Sequence, residues 1–355
     1  MKKIKMKSFQ NKFLENMPIT QNILRSVRLL GEYKGKQDLF VRQIPQALET
    51  LKQAAIIQSI ESSNRIEGVT APAKRIKEIA AEKTTPQNRS EQEIAGYRDV
   101  LQTIHGSFAD IPFNNNVILQ LHRDLFKYSD APGGRWKEVD NDILEKRPDG
   151  TEFIRFKPIS AFGTPAAMDE LTEIFNREWR AGEIEKLILI PAYVLDFLSV
   201  HPFRDGNGRM ARLLSLLLLY KAGYDVGRYI SLEKLVEDSK ESYYETLYKS
   251  SQEWHEGRHN LLPWTEYFLG TVTAAYREFE KRVGRLNTAR GAKTQMIFDA
   301  LSGLPETFRI SDLEKAAPQV SREMIRKVFA GLKKDGKLVS EGFGPNATWR
   351  KIGDF

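Results

Sequence analysis

Twelve consecutive residues, His201-Pro202-Phe203-Arg204-Asp205-Gly206-Asn207-Gly208-Arg209-Met210-Ala211-Arg212, constrain this chain more than any other feature. They place a base, a carboxylate, a glycine-containing loop and two arginines next to one another. The apolar run Leu213 to Leu219 reads as a buried helix, so Gly206-Asn207-Gly208 falls at a helix N-terminus, where unpaired backbone N–H groups favour negative charge. Phosphate is the anion such a loop takes. Arg209 and Arg212 are three residues apart, hence near one helix face, and are expected to clamp the same polyphosphate. Asp205 is the candidate ligand of a Mg2+ ion bridging phosphate oxygens, and His201 the candidate base for an attacking hydroxyl.

In these residues the chain resembles the Fic family, whose signature H-x-F-x-D/E-G-N-G-R-x-x-R is matched at every fixed position. The resemblance implies transfer of AMP from ATP to a hydroxyl of a protein side chain. It casts His201 as the general base, Phe203 as the anchor of the loop in the core and Asp205 as the Mg2+ ligand. Gly206, Asn207 and Gly208 become the anion hole, with Arg209 and Arg212 toward the outer phosphates. Pro202 and Arg204 complete the nucleotide-binding run. Relatives that phosphorylate their targets carry Lys in place of the second glycine, so Gly208 favours nucleotide transfer.

Far upstream, Ser63-Asn64-Arg65-Ile66-Glu67-Gly68 matches the S/T-x-x-x-E-G/N pattern of the inhibitory helix of Fic proteins. Pro45 suits a helix start, Leu48, Leu51, Ala55 and Ile56 keep helical spacing, and Gly68 with Pro72 supplies the stop. Glu67 is therefore expected in the last helical turn, where a carboxylate opposes the helix dipole unless a cation compensates. The resemblance supplies that cation, Arg212. It implies that Ser63, Glu67 and Gly68 form an inhibitory element, with Glu67 on the ground of the ATP γ-phosphate. The position of the pattern resembles the class with an N-terminal inhibitory helix.

Composition narrows the alternatives. The chain has 355 residues and no cysteine, which excludes disulfides, thiolate metal sites and a cysteine nucleophile. Lys2, Lys3, Lys5, Lys7 and Lys12 precede no continuous apolar stretch, and Leu187 to Val200 is broken by Pro191 and Asp196. The expectation is a cytoplasmic protein without a membrane span. A net charge of +7 fits nucleotide handling, nucleic-acid contact or solubility alike.

Periodicity predicts a mainly α protein. Residues 1–44 read as an irregular arm with a short helix, and 45–68 as the inhibitory helix. Further helices are expected near 73–82, 89–105, 114–127, 164–181, 187–199, 207–221, 231–254 and 263–283. Ile143 to Arg147, Pro148-Asp149-Gly150 and Thr151 to Phe156 read instead as a β-hairpin, since Asp-Gly suits a type I′ turn. By resemblance this is the flap that pairs with the target segment by strand addition. Related proteins carry aromatic residues near the adenine in the region of Tyr243 and Tyr244. Neighbours on a helix do not share a face, so one of the pair, Tyr243, is taken as the nucleotide contact.

His255-Glu256-Gly257-Arg258-His259 fits the H-E-x-x-H zinc pattern, but Gly257, Asn260 and Pro263 point to a turn and not to the continuous helix the pattern requires. His105 and His122 read as packing or surface residues. After Arg285 the composition shifts. Leu286 to Gly291 reads as a linker, followed by helices Thr294 to Leu301, Ser311 to Ala316 capped by Ser311, and Ser321 to Lys334. Strands Lys337 to Ser340 and Thr348 to Lys351 follow. This resembles a winged helix domain. Residues 285–355 carry 13 basic and 8 acidic residues, a net +5, so DNA contact there is an expectation.

The sequence thus predicts a Fic helical core with a β-hairpin flap plus a C-terminal winged helix (α+β) domain. The expected domains are 1–110, 111–284 and 285–355. The expected activity is that of an autoinhibited, Mg2+-dependent protein adenylyltransferase acting on a Ser, Thr or Tyr hydroxyl, with self-modification and, by resemblance, a homodimer. Two alternatives are a deAMPylase using Glu67 and a DNA-binding regulator whose Fic core senses nucleotide.

Overall fold

A computed structural model describes residues 6–43, 45–146, 151–288, 292–318, 320–342 and 347–352. After a short 3-10 turn, Lys7–Phe9, come helices α1 (Gln21–Gln43), α2 (Pro45–Ile66), α3 (Ala73–Ala80), α4 (Arg89–Ser107) and α5 (Asn115–Leu125). Strands β1 (Ile143–Lys146) and β2 (Glu152–Phe156) follow. Then come α6 (Thr164–Ala181), α7 (Lys186–Val200), α8 (Asn207–Lys221), α9 (Leu232–Asp238), α10 (Lys240–Ser251) and α11 (Leu262–Thr288). The chain ends with α12 (Ala292–Gly303), β3 (Thr307–Arg309), α13 (Ile310–Ala316), α14 (Arg322–Lys334), β4 (Leu338–Glu341) and β5 (Thr348–Lys351). The protein is mainly α. Two units divide it: Met1–Gly35 with Leu51–Arg277, and Lys36–Thr50 with Glu278–Phe355.

In the larger unit α7 and α8 form the core, since both are apolar around nearly their whole circumference and such helices must be buried. From Leu187 to Val200 of α7 only Leu198 is not buried. Pro191 sits inside α7, where its carbonyl accepts a bond from Trp264 Nε1 at 2.9 Å. The link between α7 and α8 is only six residues long, and it carries the motif. Caps set the surrounding helices: Asn88 accepts from Glu91 N for α4, Asn114 from Val117 N for α5, and Ser231 from Lys234 N for α9, each at 3.0 Å. Each such cap is worth about 1 kcal/mol.

The N-terminal stretch departs from the expected arm. Its 23-residue α1 was obscured by Gly31 and Gly35, each costing about 1 kcal/mol against Ala inside a helix, and by a weak apolar stripe. Before it, Ser8 donates to buried Asp196 of α7 at 2.6 Å and lies 2.9 Å from His259 Nε2. The expected helix 231–254 is broken at Ser239, whose hydroxyl turns back to Leu235 O, leaving α9 and α10 as separate elements. The antiparallel pairing of β1 with β2 is present, Leu144 opposite Ile154. Arg147, Pro148, Asp149 and Gly150, where the type I′ turn was expected, lie outside the described residues.

In the smaller unit the sheet order β3-β5-β4, antiparallel throughout, packs Phe308 and Trp349 against Phe329 of α14. The expected helices and the strands β4 and β5 are present, and β3 is an unforeseen third strand that three residues are too few to signal. Ser311 lies inside α13, which Arg309 precedes as the cap, so the expected Ser311 cap is displaced by two residues. The linker expected at Leu286 to Gly291 is helical through Thr288, and 289–291 lie outside the described residues. Among the described residues no helix is long and apolar enough to cross a membrane.

Close packing of α4 on α5 generates a stability prediction. A Cβ added at Gly96 would lie 2.0 Å from the Leu125 carbonyl oxygen, and rigid backbone cannot give way. Gly96→Ala should therefore cost about 3 kcal/mol or more. Gly106→Ala on the same helix, with nothing within 4 Å, should be neutral or stabilising by up to about 1 kcal/mol. Urea unfolding of the two variants against wild type measures the contrast.

Candidate functional site

Gly206 has φ +81 and caps α8, so the chain turns sharply and the first N–H groups of α8 are left without helical partners. Asn207 is held in the core by a reciprocal pair, Phe203 N to its Oδ1 at 2.9 Å and its Nδ2 to Phe203 O at 2.8 Å. Phe203 is fully buried and stacked on His122 with ring centroids 3.6 Å apart. His201 closes α7 in the left-handed region at φ 50. Burial, then the nearby positive charge of Lys137, pushes its imidazole down to about 4, so it is neutral at pH 7 and able to accept a proton.

His201, Glu67, Gly208, Arg212, Tyr243 and Tyr244 line one cavity of about 1030 Å3, walled on one side by Phe153 and Arg155 of the β1–β2 hairpin. Arg155 donates to the Tyr244 carbonyl and lies over the Tyr244 and Tyr248 rings, tying the hairpin to α10. Tyr243 is 4 % exposed and packed on Trp264 and Tyr267, with Arg212 close enough for its charge to be felt. Tyr244 is half-buried.

Glu67 follows the last residue of α2 by one position, so it stands in the closing turn and not in the last helical turn. Gly68, at φ +81, completes that turn. The Glu67 carboxylate accepts from Arg212 Nη2 at 2.8 Å, and the same guanidinium donates to Ser63 Oγ and Ser63 O, both at 2.9 Å. A Cβ on Gly208 would lie 2.3 Å from Glu67 Oε1. The carboxylate thus rests on the N-terminus of α8, the ground that sequence reasoning assigns to phosphate. Arg212 Nη1, buried beside Gly208, has no hydrogen-bond partner among the described residues. A bound anion would satisfy it.

A ladder of side chains seats the end of α2 on α9 and α10. Ser59 donates to Glu233 at 2.7 Å, Ser62 to Glu237 at 2.8 Å, Arg65 to Glu237 at 3.0 Å, and Lys240 Nζ to Ile66 O at 2.8 Å. Glu233 is buried and also accepts from Tyr97 OH at 2.9 Å.

The two motif arginines part company. Arg209, 1 % exposed, pairs with buried Glu93 at 2.7 Å and lies 3.6 Å from Asp205 Oδ1, so the face it shares with Arg212 on paper is split between two environments. Three helical steps leave about 60° between side chains, enough for neighbouring helices to claim each separately. Asp205 is exposed and receives the Gly206 N–H. Pro202 is buried and Arg204 exposed. No cluster of three or more His, Asp or Glu able to hold a metal occurs among the described residues.

Sequence reasoning missed residues that hold the loop from outside. His122 accepts from Gly134 N at 2.9 Å through Nδ1, and its Nε2 donates to Asp205 O at 3.1 Å, so it supports the motif beyond mere packing. Lys137 and Asn141 bond the carbonyls around His201. No local pattern announces contacts made across 60 to 80 residues. The zinc-like pattern resolves as the turn expected: His255 Nε2 meets Lys157 O at 2.7 Å, while His259 is buried, stacked on Phe13 at 4.3 Å.

Burial of neutral imidazoles sets a pH dependence. Burial pushes His105 down to about 3, and His122 and His259 to about 4, like His201. Between their unfolded value of about 6.5 and these folded values the unfolded chain binds more protons, so stability rises with pH across that window and is lost on acidification through it. The melting temperature should be flat above pH 7 and fall steadily from pH 6.5 to 4.5. A flat profile there would contradict the burial of the histidines.

Comparison with known proteins agrees with the motif. Residues 112–219 match the profile of the Fic/DOC family. The chain is similar to the protein adenylyltransferase Fic of Drosophila melanogaster, 27% identical over 224 residues, 59% of this chain and 42% of that protein. It is likewise similar to the protein of the same name from Nematostella vectensis, 26% identical over 205 residues, 55% and 45% of the two chains. It therefore spans less than half the length of these relatives. Among solved structures, a Fic family protein from Desulfovibrio desulfuricans G20 superposes with TM-score 0.63 at 20% identity, covering 95% of this chain and 98% of that one. A Fic domain containing signaling protein from Bacteroides thetaiotaomicron VPI-5482 gives TM-score 0.59 at 21% identity, covering 72% and 98%. At such identities the likeness is one of fold.

Proposed function

We propose that this chain, whose residues 112–219 match the Fic/DOC family, is an autoinhibited protein adenylyltransferase. The observation that carries the reading is the Glu67 carboxylate, held by Arg212 at 2.8 Å and resting against Gly208 at the start of α8. In the transfer reaction, ATP lies along the cavity with its phosphates at Gly206-Asn207-Gly208 and its base toward Tyr243 and Tyr244. Neutral His201 takes the proton of a Ser, Thr or Tyr hydroxyl held beside the hairpin. The oxygen bonds to the α-phosphorus as the bond to the bridging oxygen breaks, and pyrophosphate leaves. Developing charge is met by the α8 N-terminus and by Arg212. Asp205 would hold Mg2+, which supplies charge neutralisation at the phosphates. Arg209, buried on Glu93, supports this loop and meets phosphate only if that pair opens.

Autoinhibition follows from competition. With the carboxylate on Arg212 and Gly208, the outer phosphates lose both their cation and their room. Substitution by Gly removes the competitor, and a charged hydrogen bond is worth about 1.5 to 3 kcal/mol, so transfer should rise on the order of tenfold or more. AMP incorporation into the chain itself and into added proteins, Glu67→Gly against wild type, is the test, and unchanged labelling in the variant would sink the reading. In that background His201→Ala should abolish transfer while ATP binding stays within a few-fold.

The nearness of Glu67 to His201 supports a second reading, in which the carboxylate positions a water and the chain removes AMP from a modified target. Glu67→Gly separates the two, since it would raise transfer and end removal. A cytoplasmic homodimer that also modifies itself is the expected setting.

The smaller unit bears an exposed basic face on α14, with Arg322, Arg326, Lys327, Lys333 and Lys334. This favours a winged helix that contacts duplex DNA through phosphates, as in the third reading of the chain as a nucleotide-sensing regulator. The full chain should bind duplex with affinity falling as salt rises, and the double substitution Arg326→Ala, Lys327→Ala should reduce the salt slope by about 2. Equal slopes, or no binding at low salt, would leave protein contact as the role of this unit.

A further inference from the structure

Lys137 stands out among the charged groups around the motif because it is buried, 4 % exposed, and spends its donors on neutral acceptors. Its Nζ donates to Val200 O at 3.2 Å and to Asn141 Oδ1 at 2.9 Å, and its main-chain N–H donates to Pro202 O at 2.8 Å. Asn141 Nδ2 in turn donates to Phe203 O at 3.1 Å. The carbonyls on both sides of His201 are therefore gripped from one short segment. Val200 ends α7, so its carbonyl lies at the negative end of a helix, where a cation is favoured.

We propose that Lys137 is the positioning residue of this site, holding His201 in its left-handed conformation through the carbonyls on either side of it. Left-handed backbone at a residue with a Cβ is strained, and it persists where the surroundings over-determine it. Three donors on carbonyls 200, 202 and 203 supply that determination. The ammonium also acts electrostatically. The charges facing His201 are Lys137 from the segment before β1, Glu67 from the end of α2, and Asp205 from the loop itself. The two carboxylates favour the imidazolium, and Lys137 opposes them. Burial pushes Lys137 itself down to about 8, with Asp140 and Asp142 working the other way through space, so it is charged at pH 7.

This proposal rests on His201 as the base, and it is tested first by a measurement that needs no activity. In the full chain, Lys137→Met keeps volume and burial while removing charge and side-chain donors. An NMR titration of the five histidines, with His201 assigned by its loss in His201→Gln, should then show the His201 pKa raised by about one unit, a tenfold gain in proton affinity. An unmoved titration in a folded variant overturns the electrostatic role. In the Glu67→Gly background, Lys137→Met should lower kcat for AMP transfer about tenfold or more at pH 6 and pH 8 alike, since an imidazole raised by about one unit from about 4 is still neutral at both and the loss is one of positioning. KM for ATP should change less than about twofold, and Lys137→Arg should restore most of the loss. A loss confined to KM, or an Arg variant as poor as Met, overturns the positioning role. Should Lys137→Met fail to fold, Asn141→Ala carries the test. It should lower kcat with the His201 titration unmoved, and wild-type kcat overturns the proposal. Absence of any transfer in Glu67→Gly would instead count against the adenylyltransferase reading, while the titration still decides the role of Lys137.

Discussion

One guanidinium organises the site. Arg212 is embedded in the α8 helix and buried, and it faces the end of a helix more than 140 residues upstream through Ser63 and Glu67. Burying a cation is costly unless it is paired and hydrogen-bonded, and α2 supplies the pairing with a hydroxyl, a carbonyl and a carboxylate. The end of α2 is thereby drawn onto the N-terminus of α8, where Gly208 leaves room for an oxygen and no room for a Cβ beside it. A second carboxylate-rich surface, Glu233 and Glu237 of α9, holds the same helix by its serines. The carboxylate of Glu67 and the outer phosphates of a nucleotide are thus rivals for the same donors, and regulation on this reading needs no ligand beyond the chain itself.

The catalytic loop is held from the other side by groups that the motif does not contain. His122 bonds the Asp205 carbonyl and stacks on Phe203, while Lys137 and Asn141 take the carbonyls of Val200, Pro202 and Phe203. A loop of six residues between two buried helices has few internal bonds of its own. Its shape therefore depends on these external donors. The hairpin β1–β2 is joined to α10 by Arg155, so the walls of the cavity are contributed by elements far apart in sequence and its width depends on their relative seating.

Much of this was legible in the residues. The motif loop, the two buried helices that flank it and the hairpin follow from local patterns whose physical basis is short-range: helix N-terminal N–H groups, continuous apolar runs, turn residues. The pairing of Glu67 with Arg212, 145 residues apart, was legible only through the resemblance to Fic proteins. What escaped notice is long-range or weakly patterned. The helix α1 hides behind two glycines, and β3 has three residues. Arg209 was expected beside Arg212, yet buried Glu93 captures it, because spacing along a helix defines a direction and not the neighbour that waits there. His122 reads as a packing or surface residue, and no local pattern marks Lys137, until the fold brings both against the loop.

The central claim is that Glu67 occupies the ground of the outer phosphates, and calorimetric titration tests it most directly. ATP and AMP are titrated against the wild-type chain and against Glu67→Gly, with Mg2+ present. AMP lacks the outer phosphates, so its affinity should be nearly the same in the two proteins. ATP should gain about tenfold in the variant, raising the ATP-to-AMP preference by that factor. An equal change for both nucleotides, or none for ATP, would contradict the account.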